Sequence, residues 1–333
     1  MRIDCSEIKT YRECGRKHQL SSRNAYHLRP ITPNMNLQFG TLMHEALHAM
    51  YLGGSFDKIL ASTLKELTDP QLQRVMTTLL CGYYEQVLPK DLEEYKIIDV
   101  EWGFRITASQ LGYEPIWVPV YDEHGEMTGE VEELILAGSV DMIALKYEDN
   151  TIWGFEHKSA KSFANPVYTH MNEQPRIYTE ALDLWVKQRN EDRYNRWLSD
   201  CQRIADFDME DGTVEPPAPE PYKLGGLLIN QNKKTVKFFQ HERTVCRYSP
   251  KEREQFMKSY LHTCKQIVEN PITLPEPGSM KCMMCDYRAI CEHYGFNELD
   301  LVDIADEFIE EFEVRDVDHL DEKQERYGAD AEE

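Results

Sequence analysis

Two runs hold the residues best suited to chemistry: Ala137-Gly-Ser-Val-Asp141-Met-Ile, then Trp153-Gly-Phe-Glu156-His-Lys158. Each sets a carboxylate in an apolar, β-rich segment, where unpaired charge is costly. Two such carboxylates brought together repel and raise each other's pKa unless a divalent cation holds them. Glu156 and Lys158 are two apart on one strand, so both side chains face the same way. A hard cation such as Mg²⁺ or Mn²⁺ on the carboxylates, with an ammonium beside the attacking water, suits phosphodiester hydrolysis. Taken singly, G-x-x-D or E-x-K is a common solvated strand end; their order and strand context set this pair apart.

Elements that could position these groups are legible around them. A helix is expected over Leu37–Tyr51, ending at Gly53-Gly54, and two more between Phe56 and Val87. Lys96–Thr107, Glu114–Val120, Leu134–Lys146 and Thr151–Lys158 read as strands, with a hairpin-like break at Asp122–Gly129. Helical spacing returns over Met171–Arg189, which places Gln174 and Tyr178 on one helix face. A proline-rich acidic loop over Asp206–Pro221, strands at Leu224–Asn230 and Thr235–His241, and a helix over Ser249–Asn270 follow. The first thirty residues read as a short helix capped by Ser6, then a basic loop. Residues 299–312 suggest an amphipathic helix, with disorder from about Asp321.

In these motifs the chain resembles the PD-(D/E)XK nuclease superfamily, in its RecB-like branch. Gly40-Thr41-Leu-Met-His44 matches a G-T-x-x-H helix, Gly138 to Asp141 the G-x-x-D strand, Glu156 to Lys158 the E-x-K strand, and Gln174-Pro-Arg-Ile-Tyr178 the Q-x-x-x-Y helix. The resemblance implies a restriction-endonuclease-like α/β core, a mixed central sheet flanked by helices, over residues 1–297, and an acidic tail over 298–333. It also implies that His44, Asp141 and Glu156 ligate Mg²⁺ or Mn²⁺ with the His157 carbonyl, that Lys158 assists the nucleophilic water, and that Gln174 and Tyr178 line the DNA side. Arg12, Arg16, Lys17, Lys161 and Arg176 lie near the motifs as candidate phosphate contacts, or as ordinary solvated surface.

Cys282-Met-Met-Cys285-Asp-Tyr-Arg-Ala-Ile-Cys291 presents three thiols in one tight segment, one short of a four-thiolate site. Cys14 is the candidate fourth, with Cys5 the alternative. The same branch includes the CRISPR-associated iron–sulfur exonucleases and AddB, whose arrangement of one N-terminal cysteine and a C-terminal C-x2-C-x5-C is similar. That likeness implies a [4Fe–4S] cluster on Cys14, Cys282, Cys285 and Cys291, joining the terminal segments in an iron–sulfur lobe; structural Zn²⁺ is the alternative. The chain departs from the branch at Gly15, where proline is usual. Cys81, Cys201, Cys246 and Cys264 read as inert or core thiols.

Two other functions compete. His44-Glu45-Ala-Leu-His48 is H-E-x-x-H, a zinc-protease helix motif with Glu66 as a possible third ligand, but this leaves the strand motifs unused. A non-catalytic scaffold using its acidity to imitate DNA or dock a basic protein is the second. The 333 residues carry a formal net charge of −22, which globally disfavours nucleic acid. Sixteen acids against three bases after residue 297 supply much of it, whereas residues 1–30 are net positive. That pattern does not exclude nucleic acid, and the resemblance implies DNA, single-stranded or with a free end, as the partner. A partner helicase or recombination protein is compatible with the lack of a Walker-type phosphate loop. No apolar run is long enough for a membrane span, no export signal leads the chain, and nine cysteines suit a reducing, cytoplasmic setting.

Overall fold

A computed structural model describes residues 1–31, 35–121, 127–207, 216–269, 280–295, 297 and 299–314. The chain forms two compact units, one from residues 1–42, 103–139 and 249–333, the other from 43–102 and 140–248. In chain order β1 (Arg2–Asp4) leads into α1 (Cys5–Glu13) and α2 (Gly15–Ser21). The cap of α1 is Asp4 rather than Ser6: its carboxylate accepts the Glu7 N–H at 2.9 Å, and Glu7 reaches back to the Asp4 N–H. Where a basic loop was expected, α2 buries Arg16, His18 and Leu20. Next come β2 (Leu28–Pro30), α3 (Met35–Tyr51), α4 (Phe56–Glu66), α5 (Pro70–Gln86) and α6 (Leu88–Glu94). Asp69 caps α5 with Pro70 in its first turn, and Gly53, at φ +79°, follows α3.

The strands β3 (Tyr95–Thr107), β4 (Trp117–Tyr121), β5 (Met127–Glu133), β6 (Ile135–Lys146) and β7 (Thr151–Ala160) follow. After α7 (Pro166–Met171) and α8 (Glu173–Phe207), which outruns its expected end at Arg189, come β8 (Lys223–Lys233) and β9 (His241–Cys246). The strand expected over Thr235–His241 is instead β9. Its register, Leu227↔Cys246 to Asn232↔His241, buries Thr244 and Cys246, whereas Val236, Lys237 and Phe238 stay exposed in the loop. The chain ends its described course with α9 (Pro250–Glu269), α10 (Met280–Met283), α11 (Arg288–Tyr294), α12 (Leu301–Glu307) and β10 (Phe312–Val314). Much of the expected acidic loop, and the expected disorder from Asp321, lie outside the described residues.

In the second unit β6 and β7 pair antiparallel from Met142↔Phe155, β7 and β8 pair parallel, and β8 and β9 antiparallel, so the sheet is mixed as expected. Parallel β7 and β8 need a crossover, which α7 and α8 supply. Contact of α8 with the sheet is close at Gly154, where a Cβ would come within 2.5 Å of Leu182 and Leu227. In the first unit β1 runs parallel to the start of β6, β4 and β5 form a hairpin, and β10 pairs with β2. Leu20, Leu28, Tyr287, Ile290, Leu299, Ile304 and Phe312 form a buried cluster there. Among the described residues no helix is long and apolar enough to cross a membrane.

Candidate active site

The antiparallel pairing of β6 with β7 begins at Met142↔Phe155, so Asp141 and Glu156 flank the last paired positions of neighbouring strands. Both are buried, Glu156 at 2% exposure. Helix α3 brings His44 to this point, its Nδ1 3.1 Å from the Asp141 Oδ1. The His157 N–H donates to the other Asp141 oxygen at 2.5 Å. On α8 Gln174 uses one amide nitrogen twice, donating to Glu156 Oε1 and to the Tyr178 hydroxyl, each at 2.9 Å. Lys158 pairs with Glu156 Oε1 while its side chain stays 43% exposed. His44, Asp141, Glu156, His157, Lys158, Gln174 and Tyr178, each expected from its motif, thus share one neighbourhood of the second unit.

Glu101 joins them unexpectedly. Its carboxylate lies 3.9 Å from His44 Nδ1 with a side chain only 4% exposed. Ligating atoms of His44, Glu101 and Asp141 fall within 4.8 Å of one another. Glu101 sits in β3 at φ +53°, a left-handed conformation that a non-glycine residue rarely adopts within a strand. The available signal was an acid amid Ile97, Ile98, Val100, Trp102 and Phe104, the same signal that marks Asp141 and Glu156, but without a motif around it.

The electrostatics of the group are those of an anionic cage. Burial alone would raise Asp141, yet the adjoining His44, His157 and Lys158 hold it well below the usual carboxylate range. Glu156 goes the other way: burial, then Asp141, outweigh Lys158 and His44 and push it up to about 7. Burial opposes a charge on His44, but Asp141, Glu156 and Glu101 raise its pKa nevertheless. Glu156 Oε2 is buried without a hydrogen-bond partner. Two carboxylates and an imidazole gathered in this way, with the orphaned Glu156 oxygen near Asp141 and His44, are a donor set that fits a divalent cation with hard-ligand preference. Glu156 stands outside that closest grouping, as do His48 and Glu66 of the protease motif.

Behind His157 lies a buried polar network that no motif announced. Asp91, 1% exposed, pairs with Arg243 at 2.8 Å and accepts the Tyr51 hydroxyl at 2.7 Å; Tyr51 and Tyr83 share a 2.6 Å hydrogen bond. Arg243 Nε donates to Asn230 at 2.6 Å, and Asn230 Nδ2 lies 3.4 Å from His157 Nδ1. The His157 ring stacks on Tyr51 and meets Tyr83 edge-on, and burial pushes its pKa down to about 3. A neutral, clamped imidazole fixes the backbone of residue 157, whose N–H holds Asp141.

Not every expected phosphate contact is available. Arg12 donates to Thr263 and Ser259, and Arg16 is 3% exposed with one donor on the Asn297 carbonyl. Arg16 is tied up because α2 packs into the first unit where a basic loop was expected, whereas Arg12, on the expected helix, is exposed but engaged on α9. Lys17 is partly buried near Cys285, Arg176 lies 4.8 Å from the Tyr248 ring centroid, and Lys161 is exposed.

Cys14, Cys282, Cys285 and Cys291 all belong to the first unit, and none of the nine cysteines is in a disulfide. Burial, then Cys285, Cys14 and Cys282, push the Cys291 thiol up to about 11. Among the described residues no three thiols approach as closely as the ligating atoms of His44, Glu101 and Asp141. Cys201, Cys246 and Cys264 are buried, and burial pushes Cys264 up to about 12.

The model of the PD-(D/E)XK nuclease superfamily matches residues 2–292. No curated protein matches the chain in sequence. Among solved structures, the crystal structure of SSO0001 aligns over 90% of this chain and 88% of that one, at 11% identity and a TM-score of 0.32, too low to bear on the fold.

Proposed function

Since the chain belongs to the PD-(D/E)XK nuclease superfamily, we propose that it is a Mg²⁺- or Mn²⁺-dependent DNA exonuclease of the RecB-like kind, acting on strands that are single or offer a free end. The observation that carries this reading is the convergence of His44, Glu101 and Asp141 beside Glu156 and Lys158. His44, Glu101 and Asp141, with Glu156 and the His157 carbonyl, would hold a divalent cation, which would supply positive charge for the scissile phosphate and lower the pKa of a water. The protein does the positioning. Lys158, anchored on Glu156 with its ammonium open to solvent, orients the attacking water and takes part in moving its proton. Gln174 ties the Glu156 carboxylate and the Tyr178 hydroxyl together through one amide nitrogen, which leaves the orphaned Glu156 oxygen for its role as a ligand. The His157 N–H and His44 fix both oxygens of Asp141.

Cys14, Cys282, Cys285 and Cys291 form the second part of the proposal, as ligands of a [4Fe–4S] cluster in the first unit. Two observations support it. The other three thiols each act electrostatically on Cys291, and buried Arg16, whose Nε and Nη1 have no partner, acts on Cys291 as well. An anionic thiolate-held group beside an unsatisfied guanidinium satisfies both. Anaerobically purified protein should be brown with absorption near ~400 nm, and replacing Cys285 by Ser should bleach it. Colourless protein with stoichiometric zinc would overturn the cluster.

The nuclease reading is tested by incubating 5′- and 3′-end-labelled single-stranded and duplex DNA with Mg²⁺, Mn²⁺ or EDTA. Cation-dependent shortening of single strands, absent with EDTA and in Asp141→Asn, is expected. Cleavage by purified Asp141→Asn protein equal to wild type would overturn it.

A further inference from the structure

We propose that the loop after β8, together with Lys161 and Phe163 at the end of β7, is a binding strip for single-stranded DNA that leads the strand to or from the catalytic residues. This rests on the nuclease reading and adds a specific surface to it.

Charge distribution provides the first argument. In a chain of net charge −22, residues 229–241 (INQNKKTVKFFQH) contain Lys233, Lys234 and Lys237 and no acid. Residues 157–164 (HKSAKSFA) contain Lys158 and Lys161, again without an acid. The fold then places these two basic segments side by side. β7 and β8 stay paired up to Ala160↔Lys233, and the Lys234 N–H donates to the Ala160 carbonyl at 2.7 Å. The Gln231 side chain accepts the Ala164 N–H at 2.6 Å, tying the far side of the turn. Lys161 stands close enough to Lys234 to add to the effect of burial in lowering its pKa. Like charges gathered in this way repel, and a polyanion relieves the repulsion.

Aromatic groups interleave with the lysines. Lys233 Nζ is 5.9 Å from the Phe163 ring centroid, and Phe238 is 60% exposed, beside Val236 at 50%. Phe239 anchors the loop. Its ring packs where a Cβ on Gly82 would come within 2.2 Å, meets Tyr83 edge-on and stacks on His241. The anchor leaves neighbouring Phe238 as a presented face rather than a core residue. Exposed aromatic rings among lysines form the stacking platform and electrostatic track of sequence-tolerant strand binding, and only unpaired bases stack on them. A recess of about 550 Å³ beside Phe163 and Phe239 is lined by Lys90 and Arg243 as well as Asp91, Glu94 and Glu242, so its charge is mixed, unlike that of the lysine strip. Lys158 to Ala160 is two residues of strand, about 7 Å, so the strip starts within a nucleotide or two of the proposed chemistry.

The test separates binding from hydrolysis. Fluorescence anisotropy of a labelled oligothymidine strand in EDTA, over a range of salt, compares wild type with Lys233→Glu/Lys237→Glu and with Phe238→Ala. Hydrolysis of bis(p-nitrophenyl) phosphate with Mn²⁺ is followed in parallel. Losing two phosphate contacts should flatten the slope of log affinity against log salt by about 1.4, and Phe238→Ala should weaken binding about fivefold or more. Turnover of the small diester should be unchanged, which also shows that the variants fold. Wild-type affinity and salt slope in both variants, or no strand binding by wild type, would overturn the strip. If wild type fails to hydrolyse the diester while the variants lose strand binding with an unchanged circular dichroism spectrum, the strip stands and the nuclease reading falls.

Discussion

Removing one ionisable group from the site should make the metal-free protein more stable while disabling it. In the folded chain Glu156 is raised from its ordinary 4.5 to about 7, first by burial and then by Asp141. For a carboxyl raised on folding, the unfolded chain ionises first. Its contribution is therefore complete below pH 4.5 and is lost as the pH climbs from 4.5 to 7. At about 1.4 kcal/mol per unit, the ionised group costs the folded protein about 3 kcal/mol above pH 7. Gln at 156 keeps an acceptor for the Gln174 amide and removes the charge; Lys158, nearly half exposed, remains solvated. In EDTA at pH 8, Glu156→Gln should melt roughly 6–12 °C above wild type, at about 2–4 °C per kcal/mol for a unit of this size. At pH 4.5 the two should melt together. Mn²⁺ should raise the wild-type midpoint more than that of the variant, since it stabilises only what it binds. Scanning calorimetry at the two pH values checks all of this. Equal or lower stability of Glu156→Gln at pH 8, or a gain of the same size at pH 4.5, would refute the reasoning.

Two further expectations concern the scaffold. Arg243→Met strands the buried Asp91 carboxylate and should cost about 3–5 kcal/mol in urea denaturation, with Asp91→Leu in the same chain restoring part of it; a loss below about 1 kcal/mol would contradict the network. His18 is held neutral by burial, its pKa pushed down to about 4 from 6.5. The unfolded chain takes up the proton first, so stability is whole above pH 6.5 and falls by about 3 kcal/mol towards pH 4, and His18→Gln should remove that part of the acid sensitivity in pH-dependent unfolding.

The chemistry was legible where local pattern and tertiary role coincide. Asp141 and Glu156 stand out because strands buried on both faces read as apolar runs in which a carboxylate is anomalous. Glu101 is equally anomalous, but its strand carries no repeated spacing, and only the left-handed backbone at that position brings it to His44. Tyr51, Tyr83, Asp91, Asn230 and Arg243 each look ordinary, since their network depends on pairings up to 152 residues apart. Short helices were the weak point of the fold reading. α2 is held by the packing of Leu20 against Leu28, Tyr287 and Ile290, not by propensity, and a seven-residue helix has little of its own. β9 begins later than the apolar pattern suggests because Val236, Phe238 and Phe239 look like strand residues, whereas their apolar surface serves the loop.

The most direct test of the central claim is a Mn²⁺ titration of wild-type protein, followed by electron paramagnetic resonance, alongside Glu101→Gln and Asp141→Asn. Since even the loss of an outer-shell partner costs about 10–100-fold in affinity, each variant should bind at least about tenfold more weakly than wild type. Wild-type affinity in both variants would mean that these carboxylates do not gather around a cation, and the account of the site would fail with them.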